Sequence, residues 1–144
     1  MVKASMVIND DQLAAFTEKV QTQADDLYRF AYMLLKNEEQ SFAVVTKVIE
    51  WAAKQLDTIN VQGESEVKTL VFKECWQTLK DEKSQKQDSS EYLTRLRSLS
   101  NREVAVFSLS DLFGFQLKEV AELMGEGMED VTKDIVLARK ALVG

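Results

Sequence analysis

The stretch that decides the fold spans residues 99–142 and reads LSNREVAVFSLSDLFGFQLKEVAELMGEGMEDVTKDIVLARKAL. Ser100 and Glu103 have the spacing of a capping box at the start of a helix. Gly114 and Gly125 are placed to end the first and second of three predicted helices. The second and third of these helices are predicted at Gln116–Met124 and Met128–Leu142. Short helices separated by glycine-marked turns are typical of a helix-turn-helix.

The composition of the whole chain favours an all-α fold. Its 144 residues include no proline and five glycines, whereas sheets with tight turns need more of both. Hydrophobic residues make up 45% of the chain, which is enough to bury a core. We therefore expect either one helical domain or two small ones.

The chain is acidic, with 24 acidic and 18 basic residues and a net charge of −6. A dedicated nucleic-acid-binding protein is usually basic, because most of its affinity comes from neutralising phosphates. The charge therefore argues against strong autonomous DNA binding.

The sequence offers little for catalysis. It contains no histidine, one cysteine (Cys75) and no glycine-rich phosphate loop. Glu38-Glu39 and Glu129-Asp130 are neighbours in sequence, so neither pair forms a facing carboxylate dyad on a helix. We expect no enzymatic activity, no metal, no cofactor and no small-molecule substrate.

The same residues indicate the compartment. A single cysteine excludes an internal disulfide and suits a reducing cytoplasm. No apolar run approaches the roughly 20 residues of a membrane span, and the N-terminus lacks a signal-peptide core. A cytoplasmic protein without a membrane partner is expected.

The segment DEKSQKQDSS, residues 81–90, contains no apolar residue and is predicted to be a linker. Residues 1–80 are predicted to form one helical domain and residues 91–144 a helix-turn-helix domain. The predicted N-terminal elements are a helix from Asp10 to Leu35, a second that includes Val45 and Leu56, a turn at Asn60–Gly63 and a third helix from Glu64 to Lys80.

These motifs resemble the extracytoplasmic-function (ECF) sigma factors of the sigma-70 family. Residues 99–142 resemble the family's region 4, LSxREREVL followed by GLSYxEIAxxLGxSxGTVKSRLxRARKxL, without a gap. The stretches ADDLYRFAYMLLKNEEQ (24–40) and LVFKECWQTLKDEK (70–83) resemble the first and last helices of region 2. The resemblance implies a region 2-like domain and a region 4-like domain.

The departures from the family pattern lie at its contact positions. In region 2, a pattern near DLVQETF contacts the polymerase clamp, and this chain has Ala43, Thr46 and Lys47 at the polar positions. In region 4, lysine, serine and arginine face the major groove, and this chain has Thr132, Lys133 and Asp134. Two acids, Glu129 and Asp130, precede them, where they would repel phosphates. Arg139 and Lys140 remain near the end of the helix.

Two functions follow from the resemblance. The favoured one is a sigma mimic, which regulates transcription initiation by binding an anti-sigma factor and not by strong promoter binding. The alternative is a genuine ECF sigma factor, which binds core RNA polymerase and reads −10 and −35 promoter DNA. A structural or inhibitory subunit with a fixed partner is a third possibility, and the acidic run could also be only a solvated helix face.

Several large side chains allow a functional or a structural interpretation. Phe72, Trp51 and Trp76 could stack on bases, but no basic neighbours accompany them, so packing is favoured. Phe113 and Phe115 are expected in the core and Cys75 is expected to be buried. Arg95, Arg97 and Arg102 either cover the protein surface or contact DNA or an acidic partner.

Overall fold

The computed structural model describes residues 10–83, 87–88 and 91–143. Within these ranges there is no strand, so the predicted all-α class is confirmed. The predicted linker lies partly outside the described residues, at 84–86 and 89–90. The elements are α1 (Asp10–Leu35), α2 (Glu38–Ala53), α3 (Leu56–Val61), α4 (Glu64–Leu79), α5 (Glu91–Leu96), α6 (Asn101–Phe107), a π-helical segment (Ser108–Leu112), α7 (Leu117–Met124) and α8 (Met128–Val143).

Helix α1 is the centre of the N-terminal half, residues 10–80, and packs against α2, α3 and α4. Leu27, Phe30 and Leu34 recur every three or four residues and are fully buried on one face of α1. The chain leaves α1 through Lys36, whose positive φ of 56° turns it sharply. The Asn37 side chain then caps α2 by accepting a hydrogen bond from the Gln40 backbone N–H at 2.8 Å.

The second predicted helix is shorter than expected. It ends at Ala53, and Leu56 begins the separate helix α3, so the placement of Leu56 on the second helix was wrong. The predicted turn at Asn60–Gly63 was also placed too early, because α3 continues to Val61. The physical reason is a contact with a residue far away in the sequence. Lys19 of α1 donates hydrogen bonds to the carbonyl oxygens of Ile59, Asn60 and Gln62 at 2.7–3.2 Å and stabilises the end of α3.

The C-terminal half, residues 91–143, has its helices in the predicted order. Ser100 and Glu103 form the predicted capping box, with hydrogen bonds of 3.1 and 2.9 Å between side chain and backbone. Gly125 ends α7 in the left-handed conformation at φ 70°. Helix α8 packs against α6 and α7.

The helix that begins at α6 ends in an irregular way. The Phe113 N–H donates to the Ser108 carbonyl oxygen at 2.9 Å, five residues back, as in a π-helix. The Phe115 N–H then donates to the Leu109 carbonyl oxygen at 2.9 Å across Gly114, which has φ 79°. This closure directs both phenylalanines toward the N-terminal half.

The two halves share one hydrophobic core. Four phenylalanines, here called the aromatic cluster, meet between α1, α4 and the turn before α7: Phe30, Phe72, Phe113 and Phe115. The centroid of the Phe72 ring lies 5.1 Å from the centroid of the Phe113 ring and 5.5 Å from that of the Phe115 ring. Ring pairs at such distances contribute about 0.5–1.5 kcal/mol beyond their buried area. The expectation that these side chains pack in the core is confirmed.

Asp88, in the segment between the halves, contacts both of them. Its N–H donates to the Lys36 carbonyl oxygen at 2.7 Å, and its carboxylate accepts from the Glu38 N–H at 3.1 Å and the Tyr32 hydroxyl at 3.3 Å. Arg97, just after α5, donates to the Asp88 carbonyl oxygen at 2.7 Å. Asp88 therefore connects the start of the C-terminal half to the α1–α2 corner.

Candidate functional site

Helix α8 is the third helix of the predicted helix-turn-helix. Val131, Ile135 and Ala138 are buried and fix its orientation through their helical spacing. The opposite side, here called the outward face, is formed by Met128, Glu129, Thr132, Lys133, Val136, Leu137 and Lys140. Its large apolar side chains are unusually accessible, with Val136 58% exposed and Leu137 44% exposed. The exposure of Val136 and Leu137 was not expected from the sequence, although their spacing from Met128 could have indicated it.

Asp130 and Asp134, two of the predicted surface residues, interact with Arg102 of α6. The Arg102 guanidinium lies 2.8 Å from Asp134 Oδ2, 3.8 Å from Asp130 Oδ2 and 2.7 Å from Glu126 Oε1. The Asp134 side chain is only 14% exposed. These acids therefore hold α8 against the start of α6.

Arg139, another predicted contact residue, is engaged by Asp111 of the π-helical segment. Its Nη2 lies 2.6 Å from Asp111 Oδ1 and its Nε 2.9 Å from Oδ2, a two-point geometry that favours a strong pair. The hydrogen bond from Arg139 lowers the pKa of Asp111 below its ordinary value, against the opposing effect of partial burial. The charge of Arg139 is thus balanced within the chain.

The other arginines of the C-terminal half also have intramolecular partners. Arg95 donates to the Leu142 carbonyl oxygen at 3.0 Å. Arg97 donates to Gln87 Oε1 at 3.2 Å as well as to Asp88. The cations on the outward face of α8 are Lys133 and Lys140, and the negative charge of Glu129 reduces the net charge of this face to +1.

The predicted clamp positions on α2 form one exposed patch. Ala43, Thr46 and Lys47 all lie on the solvent side of the helix, and the Thr46 hydroxyl donates to the Phe42 carbonyl oxygen at 2.9 Å. Phe42 itself is 68% exposed beside them. Sequence reasoning missed Phe42, although an aromatic residue in phase with the polar side of α2 was visible.

A groove lies where the two halves meet, and we call it the junction groove. It has a volume of about 790 Å³ and is bounded by α1, α5, α6, the π-helical segment and α8. Its lining residues are Met33, Thr94, Arg95, Leu96, Phe107, Leu112 and Leu142. Because these residues come from five elements, no local sequence pattern could have identified the groove.

Metal and thiol chemistry find no support in the described ranges. In residues 10–83, 87–88 and 91–143, no group of three His, Cys, Asp or Glu side chains could hold a metal ion. Cys75 is buried as expected, and burial raises the pKa of its thiol to about 12. A thiol with that pKa is a poor nucleophile at neutral pH.

None of the helices in these same ranges is long and apolar enough to cross a membrane.

The comparisons with known proteins bear on the fold. Neither a protein-family model nor a curated protein sequence matches the chain. The structure is similar to the co-crystal structure of the sigma factor RpoE in complex with the anti-sigma factor NepR from Bartonella quintana. The TM-score is 0.67 at 15% sequence identity, and the likeness covers 88% of this chain and 93% of that one. The chain has a sigma-factor-like fold.

Proposed function

We propose that this chain is a non-catalytic regulator of transcription initiation that acts as a sigma mimic by binding an anti-sigma factor. The observation that carries the proposal is that the arginines around α8 form ion pairs within the chain. Arg102 is paired with three acids and Arg139 with Asp111, so the charge that each arginine would offer to a phosphate is already balanced within the chain.

The electrostatics of α8 oppose strong promoter binding. DNA affinity depends steeply on the number of phosphates that lysine and arginine neutralise. The outward face offers Lys133 and Lys140 but also Glu129 at the helix N-terminus, which would approach the DNA first. Freeing Arg139 for a phosphate would also break its two hydrogen bonds to Asp111. Promoter DNA is therefore at most a weak partner.

The junction groove supplies a surface for a protein partner. Its lining is mostly apolar, with Arg95 at the α5 edge, and Leu112 is 51% exposed there. A groove of this kind suits an amphipathic helix that buries its apolar side and places an acid near the arginine. The RpoE structure contains an anti-sigma factor, which supports a partner of that class.

The test is a reconstituted transcription assay. A cognate sigma factor is inhibited by its anti-sigma factor, and this protein is added to relieve the inhibition. We expect the wild type and Leu13→Asp to restore transcription, and Leu112→Asp to fail. Leu13 is a matched control because it is also 51% exposed but lies on α1, away from the groove.

Retention of full activity by Leu112→Asp would contradict the role of the groove. If the wild type neither binds an anti-sigma factor of its own cell nor relieves the inhibition that such a factor causes, the proposed role as a sigma mimic is contradicted.

The second candidate is a genuine ECF sigma factor that binds core RNA polymerase. The sigma-factor-like fold of both halves favours it, as does the exposed patch of Phe42, Ala43, Thr46 and Lys47 on α2. Immobilised protein exposed to a lysate of its own cell distinguishes the two. Recovery of core polymerase subunits supports this second function, and recovery of an anti-sigma factor without polymerase supports the mimic.

A further inference from the structure

We propose that the outward face of α8 binds a second copy of this chain, with the two α8 helices antiparallel across a two-fold axis. The outward face is independent of the junction groove, which is lined from α8 only by Leu142. It forms a shallow furrow of about 560 Å³ lined by Met128, Glu129, Thr132, Lys133, Val136 and Leu137. Exposed apolar side chains grouped on one helix face indicate an interaction surface.

The charges at the two ends of this face are self-complementary. Glu129 lies in the first turn of α8 and Lys140 in its last. They are eleven positions apart, about three helical turns, so both project from nearly the same side of the helix. Within the described residues neither is part of an ion pair. A two-fold axis between positions 134 and 135 places Glu129 of each copy opposite Lys140 of the other.

The same axis sets the apolar side chains against aliphatic groups of the second copy. Val136 lies close to Lys133 of the second copy, and the two copies of Leu137 lie along the same edge of the interface, about 7.5 Å apart along the helix axis. The aliphatic part of a lysine side chain can cover an apolar neighbour while its ammonium group stays in water. The two copies of Val136 come within one helical turn of each other, so the exposed apolar surface at the centre is covered.

The partner on this face is a second copy of the chain, because the order of charged and apolar residues along α8 is complementary to itself. An isologous interface requires each patch to match itself after a two-fold rotation, and the order acid, apolar, base along α8 does so. Antiparallel helices also place opposite ends of their dipoles side by side. One 16-residue helix face buries less than the roughly 800 Å² per partner of a stable interface, so we expect a weak dimer.

A charge-swap series tests the pairing by sedimentation equilibrium up to about 1 mM protein. Either single change, Glu129→Lys or Lys140→Glu, creates two pairs of like charges across the interface. We expect each change to weaken dimerisation on the order of tenfold. The double variant restores opposite charges and should regain wild-type affinity. An equimolar mixture of the two single variants should form a heterodimer more tightly than either variant self-associates.

Two exposed residues on other helices give matched controls. Glu18→Lys on α1 and Lys118→Glu on α7 make the same charge changes away from the outward face, and we expect both to dimerise like the wild type. Circular dichroism verifies that every variant is folded. A wild type that remains monomeric at the highest concentration overturns the proposal, and so does a dimer that is insensitive to the single swaps. Because no anti-sigma factor is present, failure here leaves the proposed function unaffected.

Discussion

The Lys68 ammonium group of α4 lies 4.9 Å from the centroid of the Phe115 ring, a cation–π contact between the two halves of the chain. The same Nζ donates a hydrogen bond to the carbonyl oxygen of Phe113. A charged side chain of the N-terminal half thus holds the turn that brings Phe113 and Phe115 into the aromatic cluster. The C-terminal half is consequently anchored to the rest of the protein at the turn that precedes α7.

The shared core predicts that both halves unfold together. Phe72 is fully buried and contacts both Phe113 and Phe115, so Phe72→Ala should lower the free energy of unfolding by about 3–5 kcal/mol. Urea unfolding followed by tryptophan fluorescence and by circular dichroism should give coincident single transitions. Phe42→Ala is the control, because an exposed side chain should change stability by less than about 0.5 kcal/mol. Separate transitions for the two probes would contradict a common core.

The segment 81–90 contains no apolar residue, so we expect it to be the first site cut in limited proteolysis. The packing adds a second outcome, namely that the two fragments remain associated after cleavage. The aromatic cluster and the buried contact between Ser108 Oγ and Met33 Sδ at 3.3 Å both join the halves independently of the chain between them. Size-exclusion chromatography of the nicked protein should give one peak with both fragments, and two peaks would show that the covalent connection is required.

DNA binding should be recoverable by substitutions on the outward face. Glu129→Lys with Thr132→Arg adds two cations where phosphates approach, so low-salt DNA affinity should rise on the order of tenfold and the salt dependence should steepen by roughly two in log–log slope. Fluorescence anisotropy with duplex DNA measures both. Thr17→Arg with Glu18→Lys on α1 is the matched control. An equal gain in the control would mean that general charge, and not α8, is responsible.

The choice of positions matters in this experiment. Charge alone would favour changing Asp130, Thr132 and Asp134 to basic residues together. Asp130 and Asp134 are poor positions for such a substitution, because each forms an ion pair with Arg102. A cation at either position would lose that pair and repel the arginine. We expect Asp134→Lys to lower the melting temperature, whereas Thr132→Arg should leave it nearly unchanged.

The Arg139–Asp111 pair predicts a specific acid sensitivity. Because Arg139 lowers the pKa of Asp111 in the folded state, the pair stabilises the protein fully only well above the ordinary carboxyl pKa of 3.8. That stabilisation is lost as the pH falls through the lowered pKa. The melting temperature of the wild type should therefore exceed that of Asp111→Asn at neutral pH, and the difference should shrink below about pH 4. A difference that does not change with pH would contradict this account.

Much of the fold was predictable because its signals are local. The capping box at Ser100 and Glu103, the glycine at position 125 and the spacing of Val131, Ile135 and Ala138 each act within one or two helical turns. Helix α3 was missed because its stabilising partner, Lys19, lies about forty residues earlier in the chain. No window of sequence contains both.

The candidate site was predictable only in part, for the same reason. The positions Ala43, Thr46 and Lys47 came from the resemblance to region 2, and the structure has all three on the exposed side of α2. The engagement of Arg139 by Asp111 joins side chains from different elements, so the sequence could give the charges but not their pairing.

The π-helical segment at Ser108–Leu112 limits how the chain can change in length. A π-helical turn takes one residue more than an α-helical turn to cover about the same rotation, so a single deletion there is absorbed by conversion to regular helix, and the residues after it keep nearly the same orientation. A single insertion that continues as regular helix instead rotates everything after it by about 100°, and Phe113 would leave the aromatic cluster. The segment should therefore accept the loss of one residue far better than the gain of one.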